Sequence, residues 1–341
     1  MDIEVISNES KKNIVLAGDI GGTKTNLSLF AGPIADMTLI TVRSYPSQNA
    51  AHPTDLIAQF LRDEGNIKPV KACIGVAGPV IQGVARAVNL PWDVVEDDFR
   101  YQLNLPRLKI VNDLVAMVYS IPYLKQNQFI DLKSDHPADN NGNIGLVAAG
   151  TGLGEALLIQ DNGRFVPCPS EGGHKDFAAT SELQFRLASH LSKKYGHVSV
   201  DRILSGRGLK DVYDFFLTET GTEAPEWIKF LMKKENPSAV ISTIALEKKD
   251  PVCQKTLELF VSVYGAEAGN LALQGMTTSG MYIGGGIAPQ IIEALQTETF
   301  INAFHNKGRL ENLLRQIPVR LIIDPQAPLW GAAALALKIC D

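Results

Sequence analysis

Cysteine is scarce in this sequence, and the few cysteines that it has are isolated. Its 341 residues include four, Cys73, Cys168, Cys253 and Cys340, and none belongs to a CxxC pair. Because structural zinc sites and disulfide frameworks need closely spaced or paired cysteines, the sequence predicts neither. We expect four reduced thiols, most of them buried.

Basic charge and long apolar runs are lacking as well. There are 32 Lys and Arg residues against 37 Asp and Glu, a net charge of −5, whereas nucleic acids and anionic membranes bind a concentrated basic surface. The first residues, MDIEVISNESKKN, contain acids and no apolar core, and no later segment is an uncharged apolar stretch of membrane length. We therefore expect no nucleic-acid partner, no secretory signal and no membrane span, which predicts a cytoplasmic protein.

What is present describes a folded chain that is too long for one small core. Hydrophobic residues make up 45% of the sequence and charged residues 20%, so the protein is neither disordered nor fibrous. A length of 341 residues favours two domains. Two domains that share a cleft suit an enzyme with two substrates.

One pattern occurs twice along the chain. Residues 14–17 read as an apolar strand, residues 18–24 as a glycine-containing turn, and residues 26–30 as a second strand. Residues 144–159 repeat this order around another glycine turn. The repeat predicts two related α/β halves whose hairpin turns face each other across the cleft.

The remaining elements alternate, which predicts a mixed or mainly parallel sheet in each half. Further strands are expected at residues 70–76, 108–111, 281–283 and 319–323. Helices are expected at residues 54–64, 114–119, 181–194, 209–218, 224–234, 238–247, 252–273 and 329–339. Residues 126–143, rich in Asp, Asn and Lys, are interpreted as a connecting surface loop. The expected domains are residues 1–124 with 325–341, which the last helix rejoins, and residues 125–324.

The first glycine turn, GDIGGTKT at residues 18–25, has the chemistry of a phosphate cradle without being a P-loop. A threonine stands where the P-loop pattern needs glycine, and a strand follows where that pattern needs a helix. Glycines without Cβ atoms let backbone N–H groups approach phosphate, and Asp19 is placed to hold Mg²⁺ through water. The candidate nucleotide-binding residues are Gly18, Asp19, Gly21, Gly22, Thr23 and Lys24. The alternative is a plain glycine hairpin with a surface lysine.

Two later glycine segments extend this hypothesis. GTGLG at residues 150–154 offers a second cradle, and GGG at residues 284–286 follows a predicted strand and suits close approach by adenosine. A tight turn and a strand-to-helix junction are the simpler explanations for each. The candidate nucleotide-binding residues are Thr151, Gly152, Gly154, Gly284, Gly285 and Gly286.

Polar residues at two other places have the chemistry of an acceptor site. Asn112 and Asp113 lie where a strand meets a helix, so Asp113 is either a helix N-cap or the base that positions an attacking hydroxyl. Glu171 and His174 flank a glycine pair in SEGGH, and Asp201 follows; such carboxylates accept hydrogen bonds from vicinal sugar hydroxyls. One His beside one Glu is too small a ligand set for zinc.

With these motifs, the chain resembles the bacterial glucokinase family of the hexokinase and actin-like ATPase group over nearly its whole length. DIGGTKTN, GTGLG and GGGIAP match that family's two phosphate motifs and its adenosine segment, in the same order. The resemblance implies a two-domain, ribonuclease H-like α/β fold, ATP with Mg²⁺, and transfer of the γ-phosphoryl group to the 6-hydroxyl of glucose. It also implies a homodimer.

The resemblance further implies residue roles. Asn112, Glu171 and His174 match sugar ligands and Asp113 the catalytic base, while Asn89 falls on a loop that faces the sugar. Asp201 stands where the family commonly has Glu, one methylene longer, which leaves the preferred hexose open. The cysteine-cluster zinc motif of the ROK sugar kinases is absent from the sequence.

Three alternatives remain open from the sequence. The acceptor could be mannose, fructose or an N-acetyl hexosamine. The chain could instead be a non-catalytic sugar sensor, although the 13 residues before the first strand leave no room for a helix-turn-helix module. It could also be an actin-like assembly ATPase, against which SEGGH and the Asn112-Asp113 pair argue. ADP or polyphosphate as donor is not distinguished from ATP.

Overall fold

A computed structural model describes residues 14–86, 93–133 and 137–340 of the chain. Its contacts divide it into two compact units. Unit 1 comprises Met1–Gln126 and Asp324–Asp341, and unit 2 comprises Asn127–Ile323. The chain thus leaves unit 1 once and re-enters it at its C-terminal end.

The described residues form fourteen strands and twelve α-helices. The strands are β1 (Val15–Ile20), β2 (Lys24–Ala31), β3 (Thr38–Pro46), β4 (Lys71–Val76), β5 (Val80–Ile81), β6 (Val84–Ala85), β7 (Val94–Val95), β8 (Leu108–Asn112), β9 (Phe129–Lys133), β10 (Ile144–Ala149), β11 (Leu153–Asp161), β12 (Arg164–Ser170), β13 (Gly280–Gly284) and β14 (Val319–Ile322). The helices are α1 (Pro53–Asp63), α2 (Glu96–Gln102), α3 (Asp113–Ser120), α4 (Glu182–Tyr195), α5 (Gly206–Thr220), α6 (Glu226–Lys234), α7 (Pro237–Leu246), α8 (Pro251–Gly275), α9 (Ile292–Leu295), α10 (Glu298–His305), α11 (Glu311–Arg315) and α12 (Ala327–Leu337).

Unit 1 is built on a mixed sheet in the order β3-β2-β1-β4-β8. The β3–β2 and β2–β1 pairs are antiparallel, and the β1–β4 and β4–β8 pairs are parallel. Strands β1 and β4 are apolar along nearly their whole length because both faces of the sheet are covered. Leu16, Ile74 and Phe60 are fully buried in the resulting core.

Helix α12 packs on β1, β4 and α3 within unit 1. Seven of its eleven residues are buried, so it lacks the polar face of a surface helix. Gly331 lets it lie directly on α3, because an added Cβ atom would come within 1.7 Å of the Ala116 carbonyl oxygen. Lys71 Nζ donates to the Ile339 carbonyl at 2.6 Å just beyond the helix.

Unit 2 repeats the sheet topology of unit 1. Its strand order is β12-β11-β10-β13-β14-β9, again with two antiparallel pairings followed by two parallel ones. The repeat predicted from the sequence is therefore present in the fold. Helix α8, 25 residues long, is the central helix of this unit and buries Phe260, Tyr264 and Leu271 in its core.

Some expectations from the sequence were wrong. The segment 126–143 is not only loop, because residues Phe129–Lys133 form β9, which pairs antiparallel with β14 at the sheet edge. Alternate residues of β9 are apolar and pack on the core of unit 2, whereas the surrounding polar composition had indicated a loop. All four cysteines are free, but Cys168 and Cys340 are exposed, so only half of them are buried.

Within the described ranges, no helix combines the length and the apolar character needed to cross a membrane.

Candidate active site

In unit 1, the first glycine turn is a tight hairpin that a serine braces. Gly21 N–H donates to the Lys24 carbonyl oxygen at 2.9 Å and closes the turn between β1 and β2. Ser47 holds the turn from behind: its Oγ donates to the Gly21 carbonyl at 2.6 Å, and its N–H donates to the Thr23 carbonyl at 3.0 Å. Thr23 and Lys24 are exposed at the tip. The backbone of the turn is therefore fixed while its polar side chains face solvent.

Asp19 is the penultimate residue of β1, just before this turn. Its carboxylate is half-buried and accepts one long hydrogen bond, 3.5 Å, from Asn26 Nδ2 on the paired strand. Burial raises the pKa of Asp19 to about 6, and the Asn26 hydrogen bond opposes that rise. A half-buried carboxylate with so little hydrogen bonding is suited to binding a cation through water.

Asn112, not Asp113, is the N-cap of α3. Asn112 Oδ1 accepts from Leu114 N–H at 2.9 Å and from Val115 N–H at 3.2 Å, and its Nδ2 donates to the Gly78 carbonyl at 3.0 Å. One amide hydrogen of Asn112 remains beyond these three bonds. Asp113 Oδ1 accepts from Leu114 N–H at 2.9 Å, and the carboxylate is half-buried. Asp113 is therefore not enclosed in the core.

Asp19 and Asp113 lie at the same edge of the unit 1 sheet. Strands β1, β4 and β8 are parallel neighbours, so their carboxyl ends are side by side. Asp19 pairs with Gly75 on β4, and an added Cβ atom on Gly75 would lie 3.5 Å from both Asp113 Cα and the Gly18 carbonyl oxygen. Gly75 is thus the spacer between the two acidic positions, with backbones two strands, or about 10 Å, apart.

In unit 2, Asp201 braces the second glycine turn. Gly150 N–H donates to the Gly152 carbonyl at 2.8 Å, and Asp201 Oδ1 accepts from Leu153 N–H at 2.7 Å. An added Cβ atom on Gly152 would come within 2.8 Å of that same Oδ1. One oxygen of Asp201 therefore holds the turn, a contact that the sequence did not reveal.

The turn at residues 150–152 and the glycines 284–286 are adjacent. Gly286 N lies 3.9 Å from where a Cβ atom of Gly150 would be, and Gly285, at φ +84°, lies against the Ala149 carbonyl. The glycines are required here because a Cβ atom on Gly285 would lie 2.3 Å from that oxygen. Thr151 is exposed at the tip, and Gly154 continues into β11.

A buried tyrosine joins these two segments from below. Tyr264 Oη, on α8, accepts from Ala149 N–H at 3.1 Å and lies within hydrogen-bond distance of the carbonyls of Gly284, at 3.0 Å, and Val147, at 3.3 Å. Burial raises the pKa of this phenol, so it stays protonated. Nothing in the local sequence of α8 marks Tyr264, because only tertiary packing brings it to the strand ends.

The SEGGH segment lies on the first residues of β11. A Cβ atom on Gly173 would be 2.2 Å from the Leu153 carbonyl oxygen, and one on Gly172 would be 2.1 Å from Glu155 Oε2. The two glycines let the short helical turn Gly172–His174 sit flat on the strand. Glu171 and His174 are left exposed on either side of it.

Unit 2 thus brings together Glu171, His174, Asp201 and the second and third glycine segments, and unit 1 brings together the first glycine turn, Asn112 and Asp113. Asn89 lies outside the described residues. Among the residues that the structure describes, no cluster of three or more His, Cys, Asp or Glu side chains could hold a metal ion. A cation at Asp19 would therefore need oxygen ligands from water or a bound substrate, which is the usual arrangement for Mg²⁺.

The fold is the one that glucokinases and ROK sugar kinases of the actin-like ATPase class share. The chain aligns with the crystal structure of glucokinase from an Antarctic psychrotroph with a TM-score of 0.84 and 32% identity, covering 95% of this chain and 98% of that one. A ROK family glucokinase from Streptomyces griseus, solved in complex with glucose and AMPPNP, aligns with a TM-score of 0.63 at 20% identity, covering 95% and 99%. The predicted two-domain α/β fold class is confirmed.

Sequence comparison identifies the family within that class. A model of the Glucokinase family matches residues 16–339. The glucokinase of Nostoc punctiforme is 37% identical over 340 residues, covering 96% of this chain and 99% of that protein. The chain belongs to the glucokinase family, as its motifs had indicated.

Proposed function

We propose that this protein transfers the γ-phosphoryl group of ATP to the 6-hydroxyl of glucose. Its full-length similarity to glucokinases supports this, as does the solved complex of a related fold with glucose and AMPPNP. The observation that carries the proposal is the shared sheet edge in unit 1, where Asp113 directly follows one parallel strand and Asp19 lies near the end of another, before its glycine turn. A phosphate-binding turn and a carboxylate beside it are the two parts that a kinase needs.

Asp113 is proposed as the base that orients the glucose hydroxyl and accepts its proton. Phosphoryl transfer passes through a loose transition state, so orientation contributes more than basicity. The Leu114 N–H bond to Asp113 Oδ1 fixes the direction of the carboxylate, and Asn112 is locked as the helix cap beside it. Its remaining amide hydrogen is proposed to bind a sugar hydroxyl.

For the nucleotide, we propose that the backbone of residues 21–23 and 150–152 binds the phosphates. Thr23, Lys24 and Thr151 are exposed at the turn tips, where a hydroxyl or an ammonium group can contact phosphate oxygens. Glycines 284–286 would lie against the adenosine. Asp19 would hold Mg²⁺ through water, and the bound ion would supply positive charge to the phosphate oxygens.

For the hexose, Glu171 and His174 are proposed as ligands because both are exposed beside the Gly172–His174 turn. Asp201 is proposed as a ligand through its Oδ2 atom alone, since Oδ1 accepts from Leu153 N–H. Asn89 is carried into the proposal from its place in the sequence. We further propose that the protein is a homodimer in the cytoplasm.

A sugar panel tests the reaction. ADP release is followed with ATP and with glucose, mannose, fructose or N-acetylglucosamine, and kcat/KM is compared across the panel. The proposal expects glucose to have the highest value. A higher kcat/KM for mannose or fructose than for glucose would indicate that the shorter side chain of Asp201 changes the hexose specificity. ADP release that is independent of sugar would indicate an assembly ATPase.

Replacing Asp113 tests the base. We expect Asp113→Asn to lower kcat by about 10² to 10⁴-fold, because the amide cannot accept the proton, with little change in the KM for ATP. Folding should be preserved because Asn112 remains as the cap. Asp36→Asn, at an exposed acid in the same unit, is the matched control. A variant with near wild-type kcat would exclude Asp113 as the base.

A further inference from the structure

Beneath the SEGGH turn lies a buried ionic cluster whose members have no assigned role. Glu155 on β11 and Glu267 on α8 are 1% and 4% exposed. Lys175 bridges them: its Nζ lies 3.2 and 3.1 Å from the two carboxylate oxygens of Glu155 and pairs with Glu267 Oε1. We name Glu155, Lys175 and Glu267 the Glu155 cluster. Among the described residues, few carboxylates are so completely withdrawn from water.

The Glu155 cluster holds the turn at both ends. Glu155 Oε2 lies so close to Gly172 that a Cβ atom added to this glycine would be 2.1 Å away from it. Lys175 directly follows the Gly172–His174 turn, and its N–H donates to the Gly172 carbonyl at 3.1 Å. Its carbonyl accepts from Val200 N–H at 3.1 Å, next to Asp201. Any movement of Lys175 is thus transmitted to the backbone that presents Glu171, His174 and Asp201.

The charges of the cluster are unbalanced when both acids are ionised. Burial and, after it, the neighbouring Glu267 raise the pKa of Glu155 to about 7, against the opposing effect of Lys175. A second cation near the cluster is Lys307, which donates to Asn270 Oδ1 at 2.8 Å, while Asn270 Nδ2 donates to Glu267 Oε2 at 3.1 Å. Burial lowers the pKa of Lys307. Glu155 therefore changes charge near neutral pH.

We propose that the Glu155 cluster positions the hexose-binding turn, so that Glu155, Lys175 and Glu267 are positioning residues for sugar binding. The inference rests on the proposed function of Glu171 and His174 as sugar ligands. An ionised Glu155 holds Lys175 through two oxygens and fixes the turn, whereas a neutral carboxyl holds it less tightly. Sugar binding, but not nucleotide binding, should therefore depend on the charge and the shape of residue 155.

Two substitutions separate charge from shape. Glu155→Gln keeps the packing over Gly172 and removes the charge, and Glu155→Ala removes both. At pH 8 we expect the KM for glucose to rise severalfold in Glu155→Gln and by about tenfold in Glu155→Ala, with the KM for ATP within about twofold of wild type. A KM for glucose that rises less in Glu155→Gln than in Glu155→Ala, with the KM for ATP nearly constant in both, is a result that general destabilisation does not produce.

The pH profile gives the second readout. The KM for glucose of the wild type should rise as the pH falls from 8 through about 7 to 6, because Glu155 is protonated. In Glu155→Gln this rise should be absent, and its KM at pH 8 should equal that of the wild type at pH 6. Glu226→Gln, which breaks an exposed Lys229 ion pair on α6, is the matched control and should leave the profile unchanged.

The outcomes for the two proposals are distinguishable. A wild-type protein without glucose-dependent ADP release would overturn the proposed function and this inference with it. An active wild type whose Glu155→Gln variant keeps the same KM for glucose and the same pH profile would overturn this inference alone. If Glu155→Ala does not fold, the profile of Glu155→Gln decides. Equal changes in the KM values for glucose and ATP in the Glu155 variants would also contradict this inference.

Discussion

Asp19 is a residue whose proposed role needs an ionised carboxylate while its surroundings favour the protonated form. Its pKa is raised to about 6 by burial. We therefore expect the KM for MgATP to rise as the pH falls through about 6, because a neutral carboxyl does not bind a cation. The measurement is kcat/KM for MgATP between pH 5 and 8. A flat profile across that range would exclude Asp19 as the cation site.

The same residue should lower the stability of the fold. The folded-state pKa of Asp19 lies above the ordinary value of 3.8, because burial disfavours the ionised carboxylate. The free energy of unfolding is therefore highest below pH 3.8, where Asp19 is protonated in both states, and it falls as the pH rises through about 6. The loss at pH 8 is on the order of 3 kcal/mol. The free energy of unfolding of Asp19→Asn should therefore exceed that of the wild type by an amount that grows from pH 4 to pH 8. The variant should at the same time lose activity.

Tyr264 is the residue expected to matter most for the alignment of the two unit 2 glycine segments. Tyr264→Phe keeps the ring and leaves Ala149 N–H and the Gly284 carbonyl without the hydroxyl that joins them. We expect a loss of about 1 to 3 kcal/mol in free energy of unfolding and a severalfold rise in the KM for ATP. Urea unfolding and ATP titration measure the two effects.

Tyr213→Phe is the matched control for this substitution. Tyr213 is as deeply buried as Tyr264, but its hydroxyl has no hydrogen-bond partner within the described part of the chain. Removing that hydroxyl should leave stability unchanged or raise it, because no pairing is lost. Equal losses in the two variants would contradict the joining role of Tyr264.

At the scale of elements, the crossing of α12 over α3 depends on one glycine. Gly331→Ala places a methyl group 1.7 Å from the Ala116 carbonyl oxygen, so the two helices must separate. We expect a loss of about 3 kcal/mol, at the upper end for overpacking, because backbone must move on both sides. The midpoint of thermal unfolding measures it. Gly286→Ala, whose added methyl group meets nothing within 4 Å, is the steric control and should unfold like the wild type in the absence of ATP.

The sequence predicts elements best where their own periodicity forms them. The two glycine hairpins and the long helices α4, α5 and α8 follow from strand alternation and helical spacing within single segments. Strand β9 was missed because its apolar residues stand inside a polar segment and pair only with β14, nearly 190 residues away. Long-range pairing of that kind has no local signal.

The same limit separates the predicted from the missed residues of the site. Glycines and acids beside strand ends are visible in the sequence because chain neighbours define them. Ser47, Tyr264 and Glu155 reach the turns from separate elements, and only the folded sheet order brings them there. For Asp201, the sequence indicated an acid near the sugar, and the structure adds its bond to Leu153 N–H.

At the scale of the whole molecule, each unit is built on its own sheet, and the two sheets share one order of strand pairings. The order of two antiparallel and two parallel pairings occurs in both, with a glycine turn after the first strand of each hairpin. One folding pattern can therefore place the residues that we propose to bind phosphate in both units. The residues that we propose to bind the acceptor differ between the units because they lie at strand ends and in the connections, which vary more freely than the strands.

Helix α12 also sets an order of events during synthesis. Residues 127–323 leave the ribosome before α12 does, so unit 2 can fold while unit 1 still lacks the helix that covers β1, β4 and α3. Until residues 327–337 emerge, the nascent chain exposes that apolar surface. Chaperone attachment and co-translational aggregation are therefore expected on the N-terminal half of the chain, the part that is translated first and completed last.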